Sequence, residues 1–453
     1  MRVLLVSTYE LGHQPLHLAS PAATLEAAGH EVRTLDISVE EWDNGLADWA
    51  EAVAFSVPMH TAMRLALEGA AAVKARDRGK PVCFYGLYAT AAGPDVDHVI
   101  AGEYEASLLG FVDGAGGVSL DLGRQRTVLP SRRALPTLDR YARLSVGAEE
   151  RLAGYVEASH GCAHRCRHCP VPVVYDGRTR RVDADVVLDD VAQLVDAGAR
   201  HITFGDPDFL NRWAHSMRIV EEFAVRFPQT TYDVTTKVSH LIQHADLIPT
   251  LARTGCLFVV SAFECMNDRI LGYLDKGHTG ADASRVTREL RSHGIEVRPS
   301  WLPFMPWTTV ADVAEILDFV VDHDLIGNVD PVQYTIKLLI PEGSLMLDVP
   351  EIVPYLKGYD AASLSYGWTA ADPATVDLQR ELAELVEAEP GLEVFAKVDA
   401  AVRAAMWLQP RDIVLDDHAR ARPRLTEPWF CCAEPTKDQF GSFALRQTEE
   451  TCS

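Results

Sequence analysis

Short apolar runs typical of buried strands alternate with helical patterns over residues 1–115 of the chain. The predicted strands are Val3–Ser7, Glu31–Leu35, Ala52–Ser56, Val82–Tyr85 and His98–Ala101, with helices at Ala19–Ala28 and Thr61–Ala75 between them. This alternation predicts an α/β region with a parallel, doubly wound, Rossmann-type sheet. Ligands of such sheets bind beyond the carboxyl ends of the strands, so candidate binding residues lie in the loops that follow.

The pattern changes twice after this region. Residues 116–150 are rich in Gly, Pro and Arg and have no period, which predicts a connector. From residue 151 to 340 the alternation resumes, and the predicted strands are Tyr155–Ser159, Ile202–Phe204, Tyr232–Thr235, Leu257–Ser261, Val297–Trp301 and Val332–Leu338. Six βα units favour a partial (β/α)6 barrel with its active site at the carboxyl ends of the strands. Residues 341–453 form a mixed C-terminal region.

The charge composition of the chain limits the kinds of molecule that it is expected to bind. The 453 residues include 42 basic and 65 acidic side chains, for a net charge of -23. Such an acidic surface repels phosphate backbones and disfavours a nucleic-acid partner. The sequence shows neither a long apolar run nor a signal-peptide layout, so we expect a cytoplasmic protein without membrane contact. In that reducing compartment, the nine cysteines are expected to be free thiols or metal ligands.

Three cysteines stand close together directly after the first strand of the second region. Cys162, Cys166 and Cys169 have the spacing C-x3-C-x2-C, and their loop falls at the carboxyl edge of the predicted barrel. Three thiolates can hold three irons of a 4Fe-4S cluster and leave the fourth iron open. Structural zinc is an alternative, but it usually needs four ligands in two pairs, and no second pair follows nearby. Three ordinary buried thiols are a further alternative.

The cysteine loop and the barrel pattern together resemble the radical S-adenosylmethionine (SAM) superfamily, over about residues 155–339. The resemblance implies that the cysteines hold a 4Fe-4S cluster whose open iron binds SAM. An electron from the cluster then cleaves the sulfonium of SAM, so an electron donor such as flavodoxin or ferredoxin is implied as well. In this chemistry the protein supplies placement and exclusion of water.

The resemblance also implies contacts with SAM at the ends of successive strands. They fall on Gly205, Asp206, Pro207 and Asp208 after the second strand, Thr235 and Lys237 after the third, Glu264 after the fourth, and Arg298 on the fifth. Taken alone, the segment 205–208 also fits a turn with a helix cap, and Arg298 also fits a structural ion pair. The family usually has an aromatic residue before the third cysteine, where it packs on adenine. Here that position is His168.

The first region resembles the cobalamin-binding-like domain that precedes many radical SAM enzymes. Its segment 98–105 fits the closing strand and loop of that domain. The pattern D-x-H-x-x-G, which supplies a histidine to cobalt, is absent from the sequence, so cobalamin stays a possible cofactor without a predicted ligand. His13 and His60 lie on the predicted ligand edge, where a satisfied loop histidine is the commoner role.

A second cysteine feature lies near the C-terminus. The string Cys431-Cys432-Ala433-Glu434-Pro435 resembles the tail of the CUAEP/CCAEP-tail radical SAM proteins. Adjacent thiolates suit a soft, thiophilic atom such as trivalent arsenic. A redox-active dithiol, ligands of a second cluster and an inert pair are the alternatives.

These features predict a transferase that places a SAM-derived carbon group on a small-molecule or metalloid acceptor, with arsenite held by Cys431 and Cys432. The alternative functions are a cobalamin-dependent radical SAM methyltransferase and an iron-sulfur or metalloid sensor. A sensor would need a DNA-binding element, and the acidic composition offers none.

Overall fold

The computed structural model describes residues 1–114, 117–124 and 127–427. The first region is a six-stranded parallel sheet in the order β2-β1-β3-β4-β5-β6. Its elements are β1 Arg2–Ser7, α1 Leu16–Ala27, β2 Glu31–Asp36, α2 Asn44–Trp49, β3 Ala52–Ser56, α3 His60–Arg76, β4 Val82–Tyr85, β5 His98–Gly102, α4 Glu105–Val112 and β6 Val118–Asp121. Helices α1 and α4 pack on one face, and α2 and α3 on the other, so the doubly wound prediction is confirmed.

The second sheet has seven strands in the order β14-β13-β12-β11-β8-β7-β17. Its strands are β7 Arg143–Val146, β8 Glu149–Val156, β11 His201–Phe204, β12 Thr231–Thr235, β13 Cys256–Glu264, β14 Glu296–Trp301 and β17 Arg424–Leu425. The five strands from β8 to β14 are parallel and form the predicted partial barrel, whereas β7 and β17 are antiparallel additions.

Helices surround this second sheet, and most of them share its apolar core. They are α5 Val171–Tyr175, α6 Ala184–Asp196, α7 Trp213–Arg226, α8 Val238–Gln243, α9 Ile248–Arg253, α10 Asp268–Tyr273, α11 Gly280–Ser292, α12 Val310–Asp322, α13 Ala374–Ala388, α14 Phe395–Ala405 and α15 Asp417–Arg420. Two hairpins complete the described structure: β9 Ser159–Gly161 with β10 Thr179–Arg181, and β15 Leu356–Asp360 with β16 Ser365–Trp368. Within the described ranges, none of the helices has the length and apolarity to cross a bilayer.

The predicted sixth strand of the barrel, Val332–Leu338, is wrong in form. Residues Pro331–Thr335 form a 3₁₀ turn. In place of a strand, the segment makes a single parallel β-bridge, between Phe304 and Lys337. Pro331 has no amide hydrogen and its fixed φ suits the start of a helical turn. The alternating apolar residues 332, 334, 336 and 338 are nevertheless buried. Their pattern therefore reported burial correctly without a strand.

The predicted connector, residues 116–150, has a strand close to each of its two boundaries. Strand β6 extends the first sheet to Asp121, and β8 begins at Glu149. Within the connector, Arg132 is buried and joins both sheets. Its guanidinium pairs with Asp190 of α6 at 2.6 and 2.7 Å, and it donates to Gln14 Oε1 at 2.9 Å and to the Tyr155 carbonyl at 2.7 Å. The connector thus fastens the first sheet to the half-barrel.

Candidate active site

The three cysteines lie on a hairpin that leaves the carboxyl edge of the half-barrel. Strand β9 leads into the loop, and the chain returns through β10, where Gly161 pairs with Thr179. Gly161 has a φ of 72°, and a Cβ there would stand 2.4 Å from the Arg178 carbonyl oxygen. Because L residues rarely adopt this φ and the space is filled, the residue before Cys162 has to be glycine.

The three cysteines are free thiols. Cys166 is buried, and Cys162 and Cys169 are half-buried. Burial, and then the nearby Cys166 and Cys162 thiols, raise the pKa of Cys169 to about 12. The buried Lys276 ammonium lies near Cys166 and Cys169, and the Asn211 amide contacts Cys162 Sγ at 3.5 Å. A cation and an amide donor beside three thiols stabilise thiolates, as a cluster requires. The donor set therefore fits the 4Fe-4S cluster that the sequence predicts.

Glu264 ends β13 beside these cysteines, with a φ of 65°. Its Oε1 accepts from Lys276 Nζ at 2.9 Å and lies 3.0 Å from His168 Nε2. Burial would raise the pKa of Glu264, but Lys276 and His168 together hold it far below its usual range. The predicted residues Glu264 and His168 are thus brought together, and Lys276 joins them as a residue without a predicted role.

Several polar atoms near this edge are buried without a hydrogen-bond partner among the described residues, and two of them belong to or adjoin the predicted SAM site. These two are Nδ1 of His168 and Oγ1 of Thr236, which follows Thr235 at the end of β12. Buried polar groups are normally paired, so unpaired atoms at a strand edge are typical of a ligand site. Lys237 stands next in the chain and lies half-buried. These positions fit the predicted SAM site in location.

Gly205 and Asp206 contact the segment that joins β8 to the cysteine hairpin. The Asp206 carboxylate accepts from the Ala158 amide at 2.8 Å and the Ser159 hydroxyl at 2.6 Å, and burial raises its pKa to about 7. A Cβ on Gly205 would stand 1.9 Å from the Tyr155 hydroxyl oxygen, so only glycine fits. Both oxygens of Asp206 are engaged in positioning the hairpin, and its contact with SAM stays a prediction. Pro207 lines the adjacent cleft between the sheets.

Arg298 does not join this group. Its guanidinium donates two hydrogen bonds of 2.8 Å to the Asp330 carboxylate. The guanidinium also lies over the ring of Phe258, and that ring stacks on His201 at the beginning of β11. These contacts place it toward the amino ends of the strands, in the structural ion pair that the sequence allowed as the alternative. Its assignment to SAM is unsupported because its charge is already neutralised away from the cysteine edge.

Sequence patterns missed a group formed by His164, Asp208 and His240. His164 belongs to the cysteine loop, Asp208 follows β11, and His240 lies in α8. Burial, followed by Lys237 and His240, lowers the pKa of His164 to about 4. The three residues come from three separate segments, so no local spacing could have shown them.

The carboxyl ends of both parallel sheets line one cleft of about 190 Å³. His17 lies between Glu10, at 3.0 Å, and Glu157, at 3.5 Å. Burial opposes a charge on His17, but these carboxylates outweigh it and raise its pKa to about 9. His160 likewise lies between Glu103 and Glu157. The two histidines thus carry charge between the sheets.

His13 and His60, the histidines on the predicted ligand edge, both have structural contacts. His13 stacks on Tyr155 with ring centroids 4.7 Å apart, and burial lowers its pKa to about 4. His60 Nε2 lies 2.8 Å from the carbonyl oxygen of Ser363. These contacts match the common role of a satisfied loop histidine.

Cys431 and Cys432 lie outside the described residues, so their predicted role as acceptor ligands stays a prediction. The last described residue, Glu427, accepts a hydrogen bond from the Tyr9 hydroxyl at 2.9 Å. Tyr9 lies just beyond the carboxyl end of β1. The described chain therefore ends beside the carboxyl edge of the first sheet.

Comparison with known proteins agrees with this geometry. Residues 156–320 match the profile of the radical SAM superfamily. The ribosomal protein uS12 methylthiotransferase RimO of Chlorobium chlorochromatii is 25% identical over 224 residues, which cover 44% of this chain and 44% of that protein. The tRNA-2-methylthio-N(6)-dimethylallyladenosine synthase of Moorella thermoacetica is 25% identical over 37% of this chain and 39% of that protein. The chain thus spans less than half the length of these relatives.

Solved structures extend the likeness of the fold to the first sheet. The cobalamin-dependent SAM radical enzyme OxsB superposes with a TM-score of 0.65 at 14% identity, covering 85% of this chain and 66% of that one. The radical SAM methyltransferase TsrM from Kitasatospora setae, solved with cobalamin and a 4Fe-4S cluster, gives 0.60 at 17% identity over 91% of both chains. The two-sheet arrangement of this chain is therefore a fold that these two enzymes share.

Proposed function

The half-barrel is a radical SAM domain, and from it we propose that the chain cleaves SAM reductively at a 4Fe-4S cluster and transfers a SAM-derived carbon group to arsenite. The observation that carries the proposal is the cysteine hairpin at the carboxyl edge of the parallel strands. Cys162, Cys166 and Cys169 hold the cluster there. When bound, the cluster supplies the electron that breaks a carbon–sulfur bond of SAM.

The chain's own residues position SAM and keep water out. Lys276 and Glu264 form a fixed, buried ion pair beside the cysteines, with His168 directed onto the same carboxylate. Thr235, Thr236 and Lys237 at the end of β12 offer polar atoms to the same edge. On the other side, α5 packs against Ala101 of the first sheet, and this contact covers part of Cys162 and Cys169.

The acceptor is proposed from the Cys431–Cys432 pair alone. Two adjacent soft donors suit trivalent arsenic. The substrate is thus a small metalloid species, and an external flavodoxin or ferredoxin supplies the electron.

The test is anaerobic reconstitution with iron, sulfide, reductant and SAM, with and without arsenite, followed by mass spectrometry of the small products. We expect cleavage of SAM in both samples and an organoarsenical in the second only. The triple variant Cys162→Ala, Cys166→Ala, Cys169→Ala should lose both products. A parent enzyme that carries a cluster but leaves SAM intact would overturn the proposal.

A second set of variants separates the acceptor from the cleavage. The double variant Cys431→Ala, Cys432→Ala should still cleave SAM and make no organoarsenical, whereas the control Cys452→Ala should behave like the parent. Equal conversion of arsenite by the double variant would refute the role of the tail and leave SAM cleavage standing.

Cobalamin-dependent methyl transfer is the second candidate function, favoured by the fold likeness to OxsB and TsrM. As the side chains stand, however, the cleft of about 190 Å³ is smaller than the roughly 300–1,000 Å³ of pockets for drug-sized ligands. Cobalamin is larger than such ligands, and Tyr104 and Tyr155 occupy the cleft wall. A second cavity of about 450 Å³ lies at the same edge of the first sheet, beside Thr8 and Tyr9. We derive no step through cobalamin. Cobalt absorbance that co-elutes with the protein after incubation with hydroxocobalamin would support this second function.

A further inference from the structure

His164, Asp208 and His240 bring imidazole nitrogens and a carboxylate oxygen close together beside the cysteine loop. One ligand atom from each of the three residues lies within 4.8 Å of the others. Asp208 Oδ2 lies 2.8 Å from His240 Nδ1 and 3.6 Å from His164 Nε2. His240 faces His164 through its other ring nitrogen, and the two Nε2 atoms lie 3.1 Å apart. Two imidazoles and one carboxylate are a common donor set for divalent first-row transition metals.

The contact between Asp208 and His240 is not a hydrogen bond. Although the atoms are 2.8 Å apart, both Asp208 Oδ2 and His240 Nδ1 are buried without a hydrogen-bond partner among the described residues. A simple Asp–His pair would align the ring N–H with the carboxylate. Close approach of two buried donor atoms without that alignment is the geometry of two ligands facing one ion.

Asp208 is held in the orientation that such a site needs. Its side chain is nearly fully buried, and its other oxygen, Oδ1, accepts from the Leu210 amide at 3.1 Å. This bond fixes the carboxylate and turns Oδ2 toward the two histidines. Oriented ligands with a supporting hydrogen bond are characteristic of metal sites.

We propose that His164, Asp208 and His240 bind one divalent transition-metal ion, zinc or iron(II), separate from the iron of the cysteine cluster. The site ties the cysteine loop to the segment after β11 and to α8. Three protein ligands leave coordination positions open for water or for an oxygen of a small molecule. The site rests on its own three side chains and requires neither arsenite nor the tail.

The experiment counts metals in the full-length, cluster-loaded protein. After anaerobic reconstitution, the protein is equilibrated with Zn²⁺, passed over a desalting column and analysed for zinc, iron and sulfide in the same sample. We expect one zinc per chain in addition to the cluster iron. Replacement of zinc by Co²⁺ should give the weak visible bands of nitrogen and oxygen ligands without the strong thiolate-to-cobalt band.

Variants at two ligands that lie outside the cysteine loop make the test specific. His240→Asn and Asp208→Asn should each weaken zinc binding about 100-fold or more while iron and sulfide stay unchanged. The control His244→Asn lies one helical turn further on, with its ring 5.8 Å from His240, and should retain zinc. Circular dichroism confirms that each variant folds. Absence of zinc from the parent, or equal zinc in His240→Asn and in the parent, would overturn the proposal.

Discussion

At the scale of single residues, the cysteine positions follow from local spacing, whereas the need for a glycine before them is seen only in the structure. Gly161 carries both a left-handed φ and a filled Cβ position. Gly147 has a similar φ of 60° but nothing within 4 Å of its Cβ position. Alanine variants at Gly161 and Gly147 therefore distinguish the cost of backbone strain, which both would have, from the cost of a steric clash, which only Gly161→Ala would have.

We expect Gly161→Ala to lower the iron and sulfide content after reconstitution to well below that of the parent. The added methyl displaces the strand that leads into Cys162, and overpacking of this kind costs about 1–3 kcal/mol in addition to the φ strain. Gly147→Ala should lose about 1 kcal/mol of unfolding free energy and keep its iron. Equal iron contents in the two variants would contradict the prediction.

The ion pair of Glu264 and Lys276 predicts a second residue-scale result. Lys276→Met leaves a buried carboxylate with His168 as its remaining partner, which we expect to cost about 3 kcal/mol or more in urea unfolding of the cluster-free protein. The double variant Glu264→Gln, Lys276→Met removes both charges and should be more stable than Lys276→Met. Strictly additive losses would show that the two residues do not act as a pair.

At the scale of elements, five strands of the first sheet could be predicted because each is a short apolar run between turn residues, whereas β6 lies within the predicted connector. The sixth barrel strand could not, since residues 332–338 are buried without pairing as a strand. Strands β7 and β17 were missed for another reason. Their pairing joins Leu144 to Leu425, and no local pattern reports a contact across such a separation.

The Arg132 contacts of the connector give an element-scale prediction. Arg132→Met leaves Asp190 buried without its bidentate partner, and we expect a loss of about 3 kcal/mol with faster tryptic cleavage of the connector. The neighbouring Arg133 is exposed, so Arg133→Met is the matched control and should unfold like the parent. If both variants unfold alike, Arg132 does not fasten the connector.

At the scale of the whole molecule, the charged cleft ties the two sheets together in a pH-dependent way. The pKa of His17 is about 9 in the folded chain, against an ordinary histidine value of 6.5, so the folded state binds its proton more tightly. Its contribution to stability is complete below pH 6.5 and is lost as the pH rises toward 9.

We therefore expect the urea-unfolding free energy to fall between pH 6.5 and 9 by up to about 3 kcal/mol from this residue. His17→Gln should remove that part of the slope, and the exposed His418→Gln should leave the slope unchanged. The same slope in His17→Gln and in the parent would contradict a charged His17 in the cleft.

Strand β17 also has a consequence for the order in which the chain is made. Residues 424–425 cover the outer edge of β7, yet they leave the ribosome after almost all of the sheet has emerged. Until then the backbone amides and carbonyls of β7 are open to pairing with strands of other nascent chains. A chain that ends before residue 424 therefore presents an open strand edge, and we expect it to aggregate more readily than the full chain.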